Sequence, residues 1–82
     1  MEYKLLTADN IELQHAEVKG VYTDKESAMR ALQTEIALAK AQHGIERGYV
    51  RFIGFPDAVA VDFGSWNDFL GLTGVSLDDF VN

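Results

Sequence analysis

Two histidines, a serine beside the one tryptophan, and 13 carboxylates are the groups in this 82-residue chain whose types could do chemistry. His15 and His43 stand far apart in sequence and on different predicted elements, whereas a zinc site is usually written as ligands at short, regular spacing. His15 therefore reads as a surface imidazole. His43 reads as a side chain at a helix C-terminus, where a cation complements the last carbonyls. Ser65, ahead of Trp66, would need an adjacent base to serve as a nucleophile. No histidine lies near it, and a serine before Asn67-Asp68 fits a helix N-cap. The carboxylates could include an acid/base pair, but acids this numerous on a small surface ordinarily serve solvation. There is no phosphate-cradling glycine loop, paired-histidine zinc motif, nucleophile elbow or calcium loop. With no cysteine, thiolate ligands and disulfides are also unavailable. The expectation is a non-enzymatic chain without catalytic residues, cofactor or metal.

The charge indicates what kind of partner to expect. A net charge of −6 argues against direct contact with a nucleic-acid backbone, whose affinity comes from clustered Lys and Arg. A basic protein, such as a nucleic-acid-binding effector or a nuclease, suits it better. The acids are unevenly countered: after Arg51 no Lys, Arg or His follows, while Asp57, Asp62, Asp68, Asp78 and Asp79 do. The sequence opens without a basic segment and apolar run, and nowhere do about 18 apolar residues occur together, so a cytoplasmic protein with no membrane contact is expected. At 48% hydrophobic content, residues 1–82 are expected to form a single small globular domain.

The elements that must position these groups are organised around Thr23–Gly44. Thr23-Asp24-Lys25-Glu26 fits a capping box, Ala28, Met29, Leu32, Ile36, Ala39 and His43 share one helical face, and Gly44 suits a left-handed C-cap. Before it, Tyr3–Ala8 reads as a strand, Asp9-Asn10 as a tight turn, and about His15–Tyr22 as the return strand. A phase change near Gln14-His15 calls for a bulge or a longer loop, and Gly20 marks a further irregularity. After the helix, Tyr49–Phe55 and Ala58–Phe63 read as a hairpin. A two-residue Pro56-Asp57 loop would set Arg51 opposite Asp62, with Val50, Phe52, Val59, Val61 and Phe63 on one face and Tyr49, Ile53 and Phe55 on the other. A four-residue loop would instead set Arg51 opposite Ala60. Ser65 then starts a short helix to about Gly71, and Ser76 a last helical turn to Val81. The predicted fold is α+β in β-β-α-β-β-α order. A four-stranded, mainly antiparallel sheet carries one long amphipathic helix on one face, with short helical turns at the C-terminal end.

Residues 52–82 hold most of the chain's aromatics besides those five aspartates. Aromatics in a small domain mostly serve the core. If some are exposed, an acidic surface with aromatic anchors would dock on a basic groove. Tyr49, Phe55, Asp57, Asp62, Trp66, Asp68, Asp78 and Asp79 are the candidate partner-binding residues. Small size, acidity and missing catalytic motifs place the chain in the physical class of phage anti-defence inhibitors such as anti-CRISPR proteins, with carboxylates standing where phosphates would. An immunity protein or antitoxin against a basic nuclease would need the same surface. A homo-oligomeric structural module, such as a homodimer, using Tyr49, Ile53 and Phe55 is the alternative of another class.

Overall fold

In the computed structural model, which describes residues 1–80, the run Phe69-Leu70-Gly71-Leu72-Thr73 lies extended as the central strand of the sheet. The elements in chain order are β1 (Tyr3–Ala8), β2 (Glu17–Tyr22), α1 (Lys25–Gln42), β3 (Arg51–Phe55), β4 (Ala58–Asp62), β5 (Phe69–Thr73) and a 3₁₀ turn, Leu77–Phe80. The fold is α+β, with, among the described residues, one α-helix and a five-stranded antiparallel sheet in the order β2-β1-β5-β4-β3. The sheet thus has one strand more than its sequence suggests. Ser65 does accept from the Asp68 N–H at 3.2 Å, as an N-cap would, but a strand follows instead of a helix. The reason is tertiary: β5 pairs with β1 on one side and β4 on the other, joining two hairpins that would otherwise remain separate. Its alternation also sends Leu70 and Leu72 into the core.

One face of the sheet meets α1. Ala28, Leu32 and Ile36 of the helix are buried against Tyr3, Leu5, Val59, Val61, Phe63, Leu70, Leu72 and Val75. The N-cap is Asp24, one residue later than the sequence suggests, and its carboxylate accepts from the Ser27 N–H at 2.8 Å. At the other end Gly44 takes φ +68, while the N–H of Ile45 reaches the Lys40 carbonyl and that of Gly44 reaches Ala41. These two bonds close a Schellman motif and reverse the chain toward β3. The 3₁₀ turn continues the cover beyond the helix: Phe80 stacks on Phe52 at 4.7 Å between centroids, and Leu77 lies over Gly54. Its start agrees with the sequence reading, whereas the expected end at Val81 lies outside the described residues.

Among the described residues, no helix covers the opposite face. Residues 9–16, read from sequence as a tight turn and a strand start, form a loop that folds back over its centre. The Asn10 side chain clamps this loop, donating to the Gln14 carbonyl at 2.9 Å and accepting from the Gln14 N–H at 2.8 Å. The clamp holds Leu13 at φ 61, a left-handed conformation uncommon for leucine. Leu13 sits where a Gly71 side chain would be: a Cβ there would come within 2.6 Å of Leu13 Cδ1. Gly71 and its cross-strand neighbour Ala60 are buried under this cover.

Both hairpins carry a departure that has a purpose. In β1–β2, Leu5 faces Gly20 and Leu6 faces Val18, so Lys19 is the extra residue of a bulge. Its ammonium reaches Glu35 on α1 at 2.9 Å, tying the edge strand to the helix. In β3–β4, Phe55 faces Ala58 and Arg51 faces Asp62, the register of the two-residue Pro56-Asp57 loop. Neither loop residue has positive φ, so this is not the twist-matched turn of most two-residue hairpins. A Gly74 N–H to Asp57 carbonyl bond at 2.9 Å fastens it to the exit of β5.

Two substitutions test this packing. Leu32→Ala, at a fully buried site, is expected to lower stability by about 2–5 kcal/mol in denaturant unfolding. Asn10→Ala, which deletes both clamp bonds, should cost about 1–2 kcal/mol and raise the mobility of residues 9–16 in amide exchange.

Candidate functional site

The sheet has two ends, and the topology distributes the candidate residues between them. One end collects the exits of β1, β4 and α1 and the entries of β2, β3 and β5. Tyr49, Asp62, Trp66 and Asp68 belong to this loop-rich end. Phe55 and Asp57 lie at the opposite end with the 3₁₀ turn that carries Asp78 and Asp79. The eight residues therefore form two groups.

Trp66 and Tyr49 stand out at the loop-rich end, being 96% and 94% exposed. The remaining aromatics of the C-terminal half are covered to different degrees. Phe63 is buried, while Phe52, Phe55, Phe69 and Phe80 are partly covered. Trp66 is exposed on a constrained loop. The loop begins at Asp62, whose carboxylate accepts from Arg51 at 2.8 Å and from the Gly64 N–H at 2.9 Å. It ends at Asp68, whose carboxylate meets His43 Nε2 at 3.1 Å. Between them the Ser65 hydroxyl oxygen accepts from the N–H groups of Asn67 and Asp68 at 3.4 and 3.2 Å. The same hydroxyl donates to Asn67 Oδ1 at 3.4 Å, so Ser65 is engaged in shaping the turn.

The two histidines, distant in sequence, line one cleft of about 570 Å³ between the C-terminal half of α1 and the sheet. Asp9, Glu17, Asp68 and the Lys19–Glu35 pair share its walls. His15 enters from the 9–16 loop at φ 57, and His43 caps α1 with its ring 5.6 Å from Phe63. Among the described residues, no three histidine or carboxylate side chains group to hold a metal ion. With more carboxylates than cations, the cleft suits a guanidinium or ammonium group. Sequence reasoning missed it because its walls come from segments that only the sheet order brings together. The faint signal was that both histidines border predicted loops.

Ion pairing divides the candidate acids. Arg51 beside Asp62, followed by the Gly64 N–H, holds that carboxyl below its ordinary 3.8. The Ser76 N–H, then the Lys25 ammonium at 3.0 Å, does the same for Asp79. The Ser27 N–H lowers Asp24 at the helix start, and Asp79 raises Lys25. Asp57 and Asp78 are exposed, and no ion pair engages them among the described residues. No helix among the described residues is long and apolar enough to cross a membrane. No protein-family model matches the chain, and no curated protein or solved structure matches it either.

These depressed carboxyls set the acid limb of stability. A carboxyl whose folded pKa lies below its unfolded value stabilises fully above the unfolded value and loses that contribution as pH falls through the folded one. Stability should therefore drop below about pH 3.8 as Asp24, Asp62 and Asp79 take up protons. Urea unfolding across pH 2–5 on the parent and Asp62→Asn should show a shallower drop in the variant.

Proposed function

We propose that the chain is a non-enzymatic binding protein that docks on a basic partner through its loop-rich end, with Trp66 as the main anchor and Tyr49 beside the same end. The observation that carries this reading is the near-complete exposure of Trp66 on a loop held at its start by the Gly64 N–H to Asp62 bond and at its end by the Asp68 N–H to Ser65 bond. A tryptophan displayed this way offers a large apolar surface at little further entropic cost, the property of residues that dominate binding energy at interfaces. The acid-lined cleft at the same end accepts Lys or Arg side chains, and the net charge of −6 steers a positive surface toward it.

A basic partner surface of this kind is typically one that binds nucleic acid. The chain then acts as an inhibitor of anti-CRISPR type, occupying the groove with carboxylates in place of phosphates. Asp68 and Asp62 act beside the aromatics, Asp62 keeping Arg51 as its neighbour. Asp57, Asp78 and Asp79, at the other end of the sheet, contribute through the long-range field.

The test is capture by the immobilised full chain at about 50 mM and about 300 mM salt, on either side of physiological screening. A basic nucleic-acid-binding protein should be retained at the lower salt and released at the higher. Trp66→Ala should weaken its binding by about 30-fold or more, corresponding to about 2 kcal/mol, with an unchanged melting temperature. A partner held equally by Trp66→Ala at both salt concentrations would overturn the reading.

A further inference from the structure

The sheet ends in two edges, and only one is protected. The β2 edge carries the Lys19 bulge, the Lys19–Glu35 tie to the helix and the acidic Glu17, devices that discourage strand addition. The β3 edge, Arg51-Phe52-Ile53-Gly54-Phe55, is regularly paired throughout and contains no bulge, proline or acid. On a chain of net charge −6 it is a stretch without negative charge, carrying Arg51 alone. The strand itself adds no acid to that edge; the nearest carboxylates are Asp62, already paired with Arg51, and Asp78 and Asp79 on the 3₁₀ turn that lies over Gly54.

We propose that this edge pairs with itself: two copies join β3 to β3 antiparallel about a two-fold axis at Ile53, forming one continuous ten-stranded sheet. The hydrogen-bond phase of the hairpin fits this axis. A two-residue loop closes on a pair that exchanges both main-chain bonds, here Phe55 and Ala58. Alternation along β3 then turns the N–H and C=O of Phe52 and Gly54 away from β4. With Ile53 opposite Ile53, Phe52 of each copy stands opposite Gly54 of the other, so these outward groups satisfy one another in four hydrogen bonds.

The side chains fit the same axis. On the helix side, Phe52 of one copy meets Gly54 of the other and the Leu77 above it, a leucine left 39% exposed in the single chain. Leu77 already fills the space over Gly54, so Phe52 keeps its stack on Phe80 and packs its free edge against the exposed part of the other copy's Leu77, twice. On the opposite side, the Arg51 guanidinium, keeping its 2.8 Å bond to Asp62, lies with its face toward Phe55 of the other copy, and the two Ile53 side chains meet at the axis. The two Arg51 residues fall at opposite ends of the pairing and do not oppose each other. This interface is isologous and closed, giving a dimer and no fibre. It uses the β3 edge and does not depend on the docking role of Trp66.

The experiment combines light scattering and amide hydrogen exchange on the full chain, from micromolar to about 1 mM, a range that populates weak complexes. The expected result is a mass rising to twice the 9.1 kDa of one chain. The Phe52 and Gly54 amides should exchange at least about tenfold more slowly at the high concentration. Ile53→Lys, which opposes two ammonium groups at the axis, should keep a cooperative melt and return the mass to one chain. A single-chain mass at 1 mM would overturn the proposal. So would a dimer in which the Phe52 and Gly54 amides exchange as fast as in dilute solution, since that dimer must use another surface. Should Ile53→Lys fail to fold, the amide comparison on the unaltered chain decides alone.

Discussion

The structure depends on a five-residue apolar run being held extended between two hairpins. β5 receives main-chain hydrogen bonds from both sides, places Leu70 and Leu72 beneath α1, and offers Gly71 to the loop leucine on the other face. Without it, β1–β2 and β3–β4 are isolated hairpins, which are marginal in water. With it, each becomes half of one sheet whose shared apolar face is wide enough to bury Ala28, Leu32 and Ile36 of the helix. Helix amphipathicity alone would not suffice, because an isolated helix of this length gains most of its stability from the surface it covers.

The same strand connects the core with the surface. The segment presenting Trp66 links β4 to β5, so both of its ends are set by central strands. Its interior is shaped by Asp62, Ser65 and Asp68, each of which bonds within the loop or to an adjacent element. The main chain beneath this exposed aromatic is thereby held in one turn. The acids nearby therefore have two uses: Asp62 and Asp68 order the loop through Arg51 and His43, and they also contribute to the negative field around it.

The two sheet edges show how local chemistry controls association. At β2 one extra residue, Lys19, breaks the ladder and turns its charge toward Glu35. At β3 the regular ladder leaves alternate main-chain groups facing outward, beside Leu77 on one side and Ile53 and Phe55 on the other. A small α+β domain with an open edge must either tolerate or exploit that edge.

Elements whose signals were local could be read directly from the sequence. The stripe Ala28-Leu32-Ile36 and the glycine at position 44 each depend on residues close along the chain, so their chemistry is visible without a fold, whereas Arg51 opposite Asp62 was one of two registers the sequence allowed and the structure chose between them. The capping signal at Ser65 was legible too, yet its hydrogen bond belongs to a turn that leads into a strand. Nothing within five residues could reveal that two hairpins needed joining there. The tight turn at Asp9-Asn10 was misread for the same reason: Leu13 accepts a left-handed backbone because Gly71, far away in sequence, leaves room for it. The sequence alone therefore determined the composition, the charge and the main helix with its flanking hairpins. Only the tertiary structure decided which strand is central, which aromatic is exposed, that the two histidines share a cleft, and that the acidic candidates divide between two ends. Those outcomes come from pairings between distant segments, whose free energy no local window contains.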